Sequence, residues 1–143
     1  GEPVVAGGGG HDLAVRVGDH EVCREAEDLF VFRFGEGDVS ADQLRELAEL
    51  ERLAWNLPHL YNIVVFTRGI AISPGLLPQA TRMMRHSPSR TTAVVTPAFS
   101  LRTYMEFVSR AMRQVGVELN SRFFEDEQAA RDWLEERRRQ RTI

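Results

Sequence analysis

The chain has 143 residues, a net charge of −3, and charged and hydrophobic fractions of 27% and 43%, which together predict one globular domain with a substantial core. The negative charge argues against nucleic acid as a partner, and no apolar run reaches the roughly 20 residues that a transmembrane segment needs. All eighteen basic residues are arginine, which excludes Schiff-base catalysis, and the single Cys23 cannot form an internal disulfide, which favours a cytoplasmic location.

The first part of the chain predicts antiparallel strands. Residues 1–11 contain four consecutive glycines and have little apolar surface to bury, so they are predicted to be a flexible segment before a single domain over residues 12–143. Beyond them, apolar and polar residues alternate with the period of a half-buried strand. The predicted meander has strands over residues 13–17, 20–26 and 29–34, separated by short turns.

The rest of the chain alternates helices with strands. Continuous β-branched and aromatic runs over residues 63–67 and 92–96 predict strands buried on both faces, and residues 122–124 predict a short strand. The alternation calls for a mostly parallel sheet. The predicted fold class is therefore α/β, with a mixed β-sheet in which an N-terminal antiparallel meander precedes βα units. Four main helices are predicted, each behind a polar residue that can cap its first turn: Ser40, Ser73, Ser100 and Asp126.

Three stretches carry a resemblance to a known family. They are residues 34–42 (FGEGDVSAD), 92–96 (TAVVT) and 122–135 (RFFEDEQAARDWLE). Together they resemble the SpoIIAA-like family, which neighbours the STAS domains of anti-sigma-factor antagonists, and the likeness covers about residues 12–136. The resemblance implies a mixed sheet flanked by helices, and binding or regulatory work rather than catalysis.

Ser73 is the candidate phosphoacceptor that the resemblance suggests. Antagonist-type STAS domains carry an Asp-Ser-Ser-Gly-Leu helix start whose serine is phosphorylated by a partner kinase. The corresponding residues 72–76 read Ile-Ser-Pro-Gly-Leu, so the aspartate is missing and a proline replaces one serine. A helix N-cap followed by proline explains Ser73 without phosphorylation.

The ends of the two buried strands are predicted to form a rim that binds a partner. In an open α/β sheet, the carboxyl ends of the strands and the following helix starts line the recognition crevice. Two arginines in this region could clamp a carboxylate or a phosphate. The expected partner is an unknown protein or a second copy of the chain. Besides Ser73, the candidate rim residues are Thr67, Arg68, Gly75, Thr96, Ser100 and Arg102.

Two other functions stay open at this point. An apolar pocket could bind a lipid or another small apolar molecule. An enzyme has less support, because no catalytic, metal or cofactor signature is found, and His59 and His86 fall in predicted turns where side chains are usually solvated. The leading hypothesis is a non-catalytic regulatory or protein-interaction module. The candidate pocket residues are Met83, Met84, Tyr104 and Met105.

Overall fold

A computed structural model shows a mixed β-sheet with helices packed against both faces. It describes residues 3–5, 13–67, 76–96, 103, 106, 110, 113, 114, 116 and 119–141. The strands are β1 (Pro3–Val5), β2 (Leu13–Val17), β3 (His20–Ala26), β4 (Leu29–Phe34), β5 (His59–Phe66), β6 (Ser89–Val95) and β7 (Leu119–Phe124). The helices with defined bounds are α1 (Ala41–Arg52), α2 (Leu76–Met83) and α3 (Glu127–Arg141).

The seven described strands lie side by side in their chain order. Neighbours from β1 to β4 are antiparallel, and neighbours from β4 to β7 are parallel. This confirms the predicted mixed sheet, with a meander followed by parallel strands. In β5 and β6, Ile63 lies opposite Ala93 and Val65 lies opposite Val95, so the two buried runs are neighbouring interior strands.

The sheet has an apolar core on each face because its strand side chains alternate. In β4, Phe30 and Phe32 join the first core, and Val31 joins the second. α1 covers the first core with Leu47, and α1 also contacts β2, β3 and α2. α3 covers the second core with Leu134 and contacts β5, β6 and β7. A sheet covered on both faces explains why β5 and β6 read as continuous apolar runs.

Two predicted helix starts are confirmed by their caps. The Ser40 hydroxyl accepts a hydrogen bond from Gln43 N, and the Gln43 side chain accepts one from Ser40 N, which completes a capping box at α1. At α3, the Asp126 carboxylate accepts a 3.0 Å hydrogen bond from Ala129 N. No helix among the described residues is long and apolar enough to cross a membrane.

Two expectations need correction, one about the amino-terminal segment and one about the number of helices. Residues 3–5, placed in the predicted flexible segment, form strand β1, because the unpaired backbone of the β2 edge offers them an antiparallel ladder. The predicted count of four main helices is not matched, since three helices have defined bounds in the described part of the chain. The predicted helix after Ser100 falls largely outside the described residues. The residues of that stretch that the structure does describe as helical are 103, 106, 110, 113 and 114.

The strand order differs from that of open sheets in which a crevice forms at the carboxyl ends. Such crevices form where the strand order reverses, so that neighbouring strands send their connections to opposite faces. The described parallel strands follow one another without reversal. After β7, α3 turns back over the face of β5 to β7 opposite to α1 and ends beside the strands' amino-terminal edge.

Candidate binding cleft

A cleft of about 470 Å³ lies where the end of α3 meets the amino-terminal edge of the sheet. Its floor and walls come from three places: the turn between β3 and β4, the start of β5, and the last two turns of α3. Its volume is within the usual range for a site that takes a small molecule or a few peptide side chains. The lining residues are Glu27, Asp28, Leu57, Pro58, His59, Tyr61, Glu135, Arg138, Arg139 and Arg141.

The start of β5 places two aromatic rings on the cleft side of the sheet. His59 and Tyr61 are two residues apart in the strand, so both side chains project from the face that α3 covers. Their ring centroids are 4.8 Å apart in an edge-to-face arrangement. Tyr61 N also donates a 2.8 Å hydrogen bond to Asp28 O, which ties the β3–β4 turn to this strand.

His59 is held by hydroxyl groups on the neighbouring strand. Its Nδ1 lies 2.8 Å from Ser89 Oγ, and its Nε2 lies 2.8 Å from Thr91 Oγ1. The residue is buried, so the expectation of a solvated histidine in a turn is wrong: β5 begins four residues earlier than predicted and carries His59 into the sheet. His86, in contrast, is exposed in a turn, as predicted.

Arg138 crosses the cleft from α3. Its Nη2 donates a 2.7 Å hydrogen bond to Asp28 Oδ1, and its Nη1 lies 3.3 Å from Glu135 Oε2. The guanidinium also lies 5.7 Å from the centroid of the Tyr61 ring, within the range of a cation–π contact. Burial alone would lower the pKa of Arg138, but its hydrogen bond to Asp28 and the nearby carboxylates outweigh burial and raise it.

The Tyr61 hydroxyl remains a proton donor at neutral pH. Burial raises the pKa of this phenol, and it is the largest influence. The charges that act on the hydroxyl are Arg141, Asp28 and Arg138; the two arginines lower the pKa and the carboxylate raises it. The net shift is upward, so the hydroxyl can donate a hydrogen bond to a bound group.

The arginines reach the cleft because they continue the inward stripe of α3. Ala130 and Leu134 face the second core, and positions 138 and 141 follow at the same helical spacing. By these positions the helix has passed the edge of the sheet, so long polar side chains replace apolar ones. Arg141 is exposed and forms no ion pair with another described residue.

No protein-family model, curated protein or solved structure matches this chain. Within the described ranges, no group of three or more His, Cys, Asp or Glu side chains could hold a metal ion. The cleft offers guanidinium, phenol and carboxylate groups, which suit hydrogen bonding and ion pairing with a polar ligand.

Two of the predicted rim residues lie in the described structure. Thr67 is exposed at the end of β5, and both its N and its Oγ1 donate to Phe34 O. Thr96 is buried and its N donates to Phe124 O, so its side chain does not lie at an open rim as predicted: the parallel ladder with β7 extends one residue beyond β6. The other candidates, Arg68, Ser73, Gly75, Ser100 and Arg102, lie outside the described residues.

The predicted apolar pocket is described only in part. Met83 and Met84, at the end of α2 and in the following turn, are half-buried. Tyr104 and Met105 lie outside the described residues. The described lining of the cleft at the amino-terminal edge includes none of the predicted pocket or rim residues. The signs of the cleft in the sequence are the arginine run near the end of the chain and its helical spacing from Leu134.

A buried polar cluster on the opposite face of the sheet was also not predicted. Glu51 of α1 accepts hydrogen bonds from Arg90 and from Asn62 Nδ2 at 2.7 and 2.6 Å. Arg90 Nη1 also donates to Asn62 Oδ1 at 3.1 Å, and Arg90 Nη2 contacts Ser87 Oγ. Both charged side chains are less than a tenth exposed. The cluster joins α1 to β5 and β6, which is a structural role.

Proposed function

We propose that this domain is a non-catalytic interaction module that binds a segment of a protein partner in the cleft between α3 and the start of β5. The observation that carries the proposal is a cleft in which the Arg138 guanidinium lies 5.7 Å from the Tyr61 ring centroid and Arg141 lines the same floor. Tyrosine and arginine dominate the energetic centres of protein interfaces, because they combine a large contact area with hydrogen bonding.

The walls of the cleft support a peptide-like ligand. Leu57 is half-buried and Pro58 is exposed, so one wall offers an apolar surface beside the polar floor. On the floor, Tyr61 is held by His59 on one side and by Arg138 on the other. A pre-formed site of this kind loses little side-chain freedom on binding, which favours affinity.

The chemistry of the floor favours binding over catalysis. His59 stands within hydrogen-bond distance of Ser89, the arrangement from which a serine nucleophile could be activated. Its other ring nitrogen faces the Thr91 hydroxyl, however, where hydrolytic triads place a carboxylate that stabilises the charged imidazole. The raised pKa of Tyr61 also makes it a hydrogen-bond donor rather than a base.

The proposal is tested by selecting peptides from a random display library against the immobilised domain. A counter-selection uses the double variant Arg139→Glu/Arg141→Glu, which reverses two exposed charges at the cleft. The matched control is Arg110→Glu/Arg113→Glu, which makes the same change at two exposed arginines that do not line the cleft. Circular dichroism confirms that each variant is folded.

The expected result is a set of enriched peptides that bind the wild type and the control but lose binding to the cleft variant. In ¹⁵N spectra, their binding should shift amides in residues 57–61 and 135–141. Failure to enrich any peptide contradicts the proposal, and so does enrichment of peptides that bind the cleft variant as well as they bind the wild type.

A further inference from the structure

The charges around Tyr61 distinguish the groups that the cleft can accept. Arg138 is already engaged by Asp28 at 2.7 Å and by Glu135 at 3.3 Å. Arg141 has no such partner among the described residues, and it lines the same cleft as Tyr61. Among the described groups of the floor, the Tyr61 phenol is a neutral donor, the Arg141 guanidinium has no ion pair, and the Arg138 guanidinium is paired with Asp28.

One unneutralised guanidinium suits a ligand with a single negative charge. Arginine binds carboxylates with two parallel hydrogen bonds, and a phenol can donate a third. A phosphate group carries up to two charges at neutral pH. It would meet the carboxylates of Glu27 and Asp28 in the cleft lining, within a chain whose net charge is already −3. The balance of charge favours a carboxylate.

The apolar wall indicates that the carboxylate belongs to a peptide. Leu57 and Pro58 line the cleft beside the charged floor. A free carboxylate ion would leave this wall uncovered, whereas an aspartate or glutamate next to an apolar residue would use both surfaces. Arg139 stands at the rim with a side chain 68% exposed, where it can meet a further acidic residue of the same segment.

We infer that the cleft recognises an acidic side chain of a partner protein, with the carboxylate between the Tyr61 hydroxyl and the Arg141 guanidinium and an adjacent apolar side chain against Leu57 and Pro58. This inference rests on the proposed function and adds the chemistry of the partner. The Asp28 carboxylate is the internal competitor, since it already accepts a hydrogen bond from Arg138.

Four blocked peptides of one design test the inference, each with leucine on both sides of a central residue. The central residue is glutamate, glutamine, phosphoserine or lysine. Binding to the full chain is followed by ¹⁵N chemical-shift titration, which detects weak complexes. The glutamate peptide should bind about tenfold tighter than the glutamine peptide, the scale expected of a charge-assisted hydrogen bond. Arg141→Ala should remove this preference, and Arg110→Ala should leave it unchanged.

The outcomes separate the two proposals. Equal binding of the glutamate and glutamine peptides at the cleft overturns the acidic recognition and leaves the interaction module standing. Tighter binding of the phosphoserine peptide than of the glutamate peptide overturns the preference for a carboxylate. Binding of none of the peptides at the cleft contradicts both proposals. A glutamate preference that survives in Arg141→Ala overturns the assigned role of Arg141.

Discussion

Arg138 Nη2 in α3 donates a 2.7 Å hydrogen bond to Asp28 Oδ1 in the turn between β3 and β4, although the two residues are 110 positions apart in the chain. At its other end, α3 is anchored by Glu127, whose carboxylate accepts hydrogen bonds of 2.6 and 2.9 Å from Arg33 of β4. Between these points, Arg131 pairs with Glu25 of β3 at 2.8 Å. These three ion pairs attach α3 to β4, β3 and the β3–β4 turn. They thereby fix the position of the helix that forms one wall of the cleft.

Asp28→Asn is expected to strengthen the binding of an acidic peptide. The substitution keeps a hydrogen-bonding side chain but removes the competing charge, so Arg138 becomes available to the ligand. We expect the affinity for the glutamate peptide to rise about threefold, and the stability to change by less than about 1 kcal/mol because the pair is partly exposed. Peptide titration and urea unfolding measure the two effects. A loss of affinity in a folded Asp28→Asn domain would contradict the assigned role of Asp28.

Protonation of Glu127 in acid is expected to lower the free energy of unfolding of the domain. The hydrogen bond from Arg33 is the main reason that the pKa of Glu127 falls from 4.5 to about 2. A carboxylate with a depressed pKa stabilises the fold above its unfolded pKa, and this contribution is lost as the pH falls from about 4.5 towards 2. We expect a contribution of about 1 kcal/mol, after allowance for solvent screening at a side chain that is one-third exposed.

The measurement is urea unfolding of the wild type and of Glu127→Gln between pH 7 and pH 2.5. The wild type should be the more stable at pH 7, and the difference should shrink as the pH falls. Glu135→Gln is the matched control, since the Glu135 side chain is 56% exposed and the Glu127 side chain 33%. A constant difference across this range would show that Glu127 acts through packing rather than through its charge.

The buried pair of Glu51 and Arg90 predicts a strongly non-additive response. Glu51→Leu leaves the Arg90 charge buried and unpaired, which should cost about 3–5 kcal/mol. Adding Arg90→Met removes the orphaned charge, so the double variant should recover most of that loss. Denaturant unfolding of both single variants and of the double variant gives the coupling energy. Additive losses would mean that the two side chains do not act as a pair.

Gly35, in the loop that leads to α1, has no room for a side chain. A Cβ at this position would lie 2.3 Å from Asp19 O, a backbone atom in the β2–β3 turn. Gly35→Ala should therefore destabilise the fold by about 2 kcal/mol or more, as overpacked sites do. Gly37→Ala is the comparison, because a Cβ there meets no atom within 4 Å and the cost comes only from its φ of +97°. Equal losses in thermal unfolding would rule out the clash.

Local patterns predicted most of the secondary structure. The alternation in β2, β3 and β4 carried enough information for their bounds, and the Ser40 and Asp126 caps marked the starts of α1 and α3. β5 and β6 begin earlier than their apolar runs, because polar residues such as His59 and Arg90 find buried partners there. Those partners come from distant parts of the chain, so no local pattern announces them.

The candidate site was harder to predict than the fold. An arginine run at the end of a helix is typical of a solvated surface, which describes Arg139 but not Arg138. Arg138 lies over Tyr61 because α3 crosses back over β5. The path of α3 depends on the strand order and on the face of the sheet that α3 covers, and neither is visible in a local stretch of sequence. The sequence feature that indicates the site, once α3 is known, is the helical spacing from Leu134 to positions 138 and 141.

The most direct measurement is an NMR spectrum of the Arg141 guanidinium and the Tyr61 ring during titration with the glutamate peptide. Recognition of a carboxylate predicts a saturating downfield shift of the Arg141 Nε proton, together with ring shifts of Tyr61 that follow the same binding curve. Unchanged Arg141 and Tyr61 signals, while amides elsewhere in the domain report saturable binding, would contradict the account.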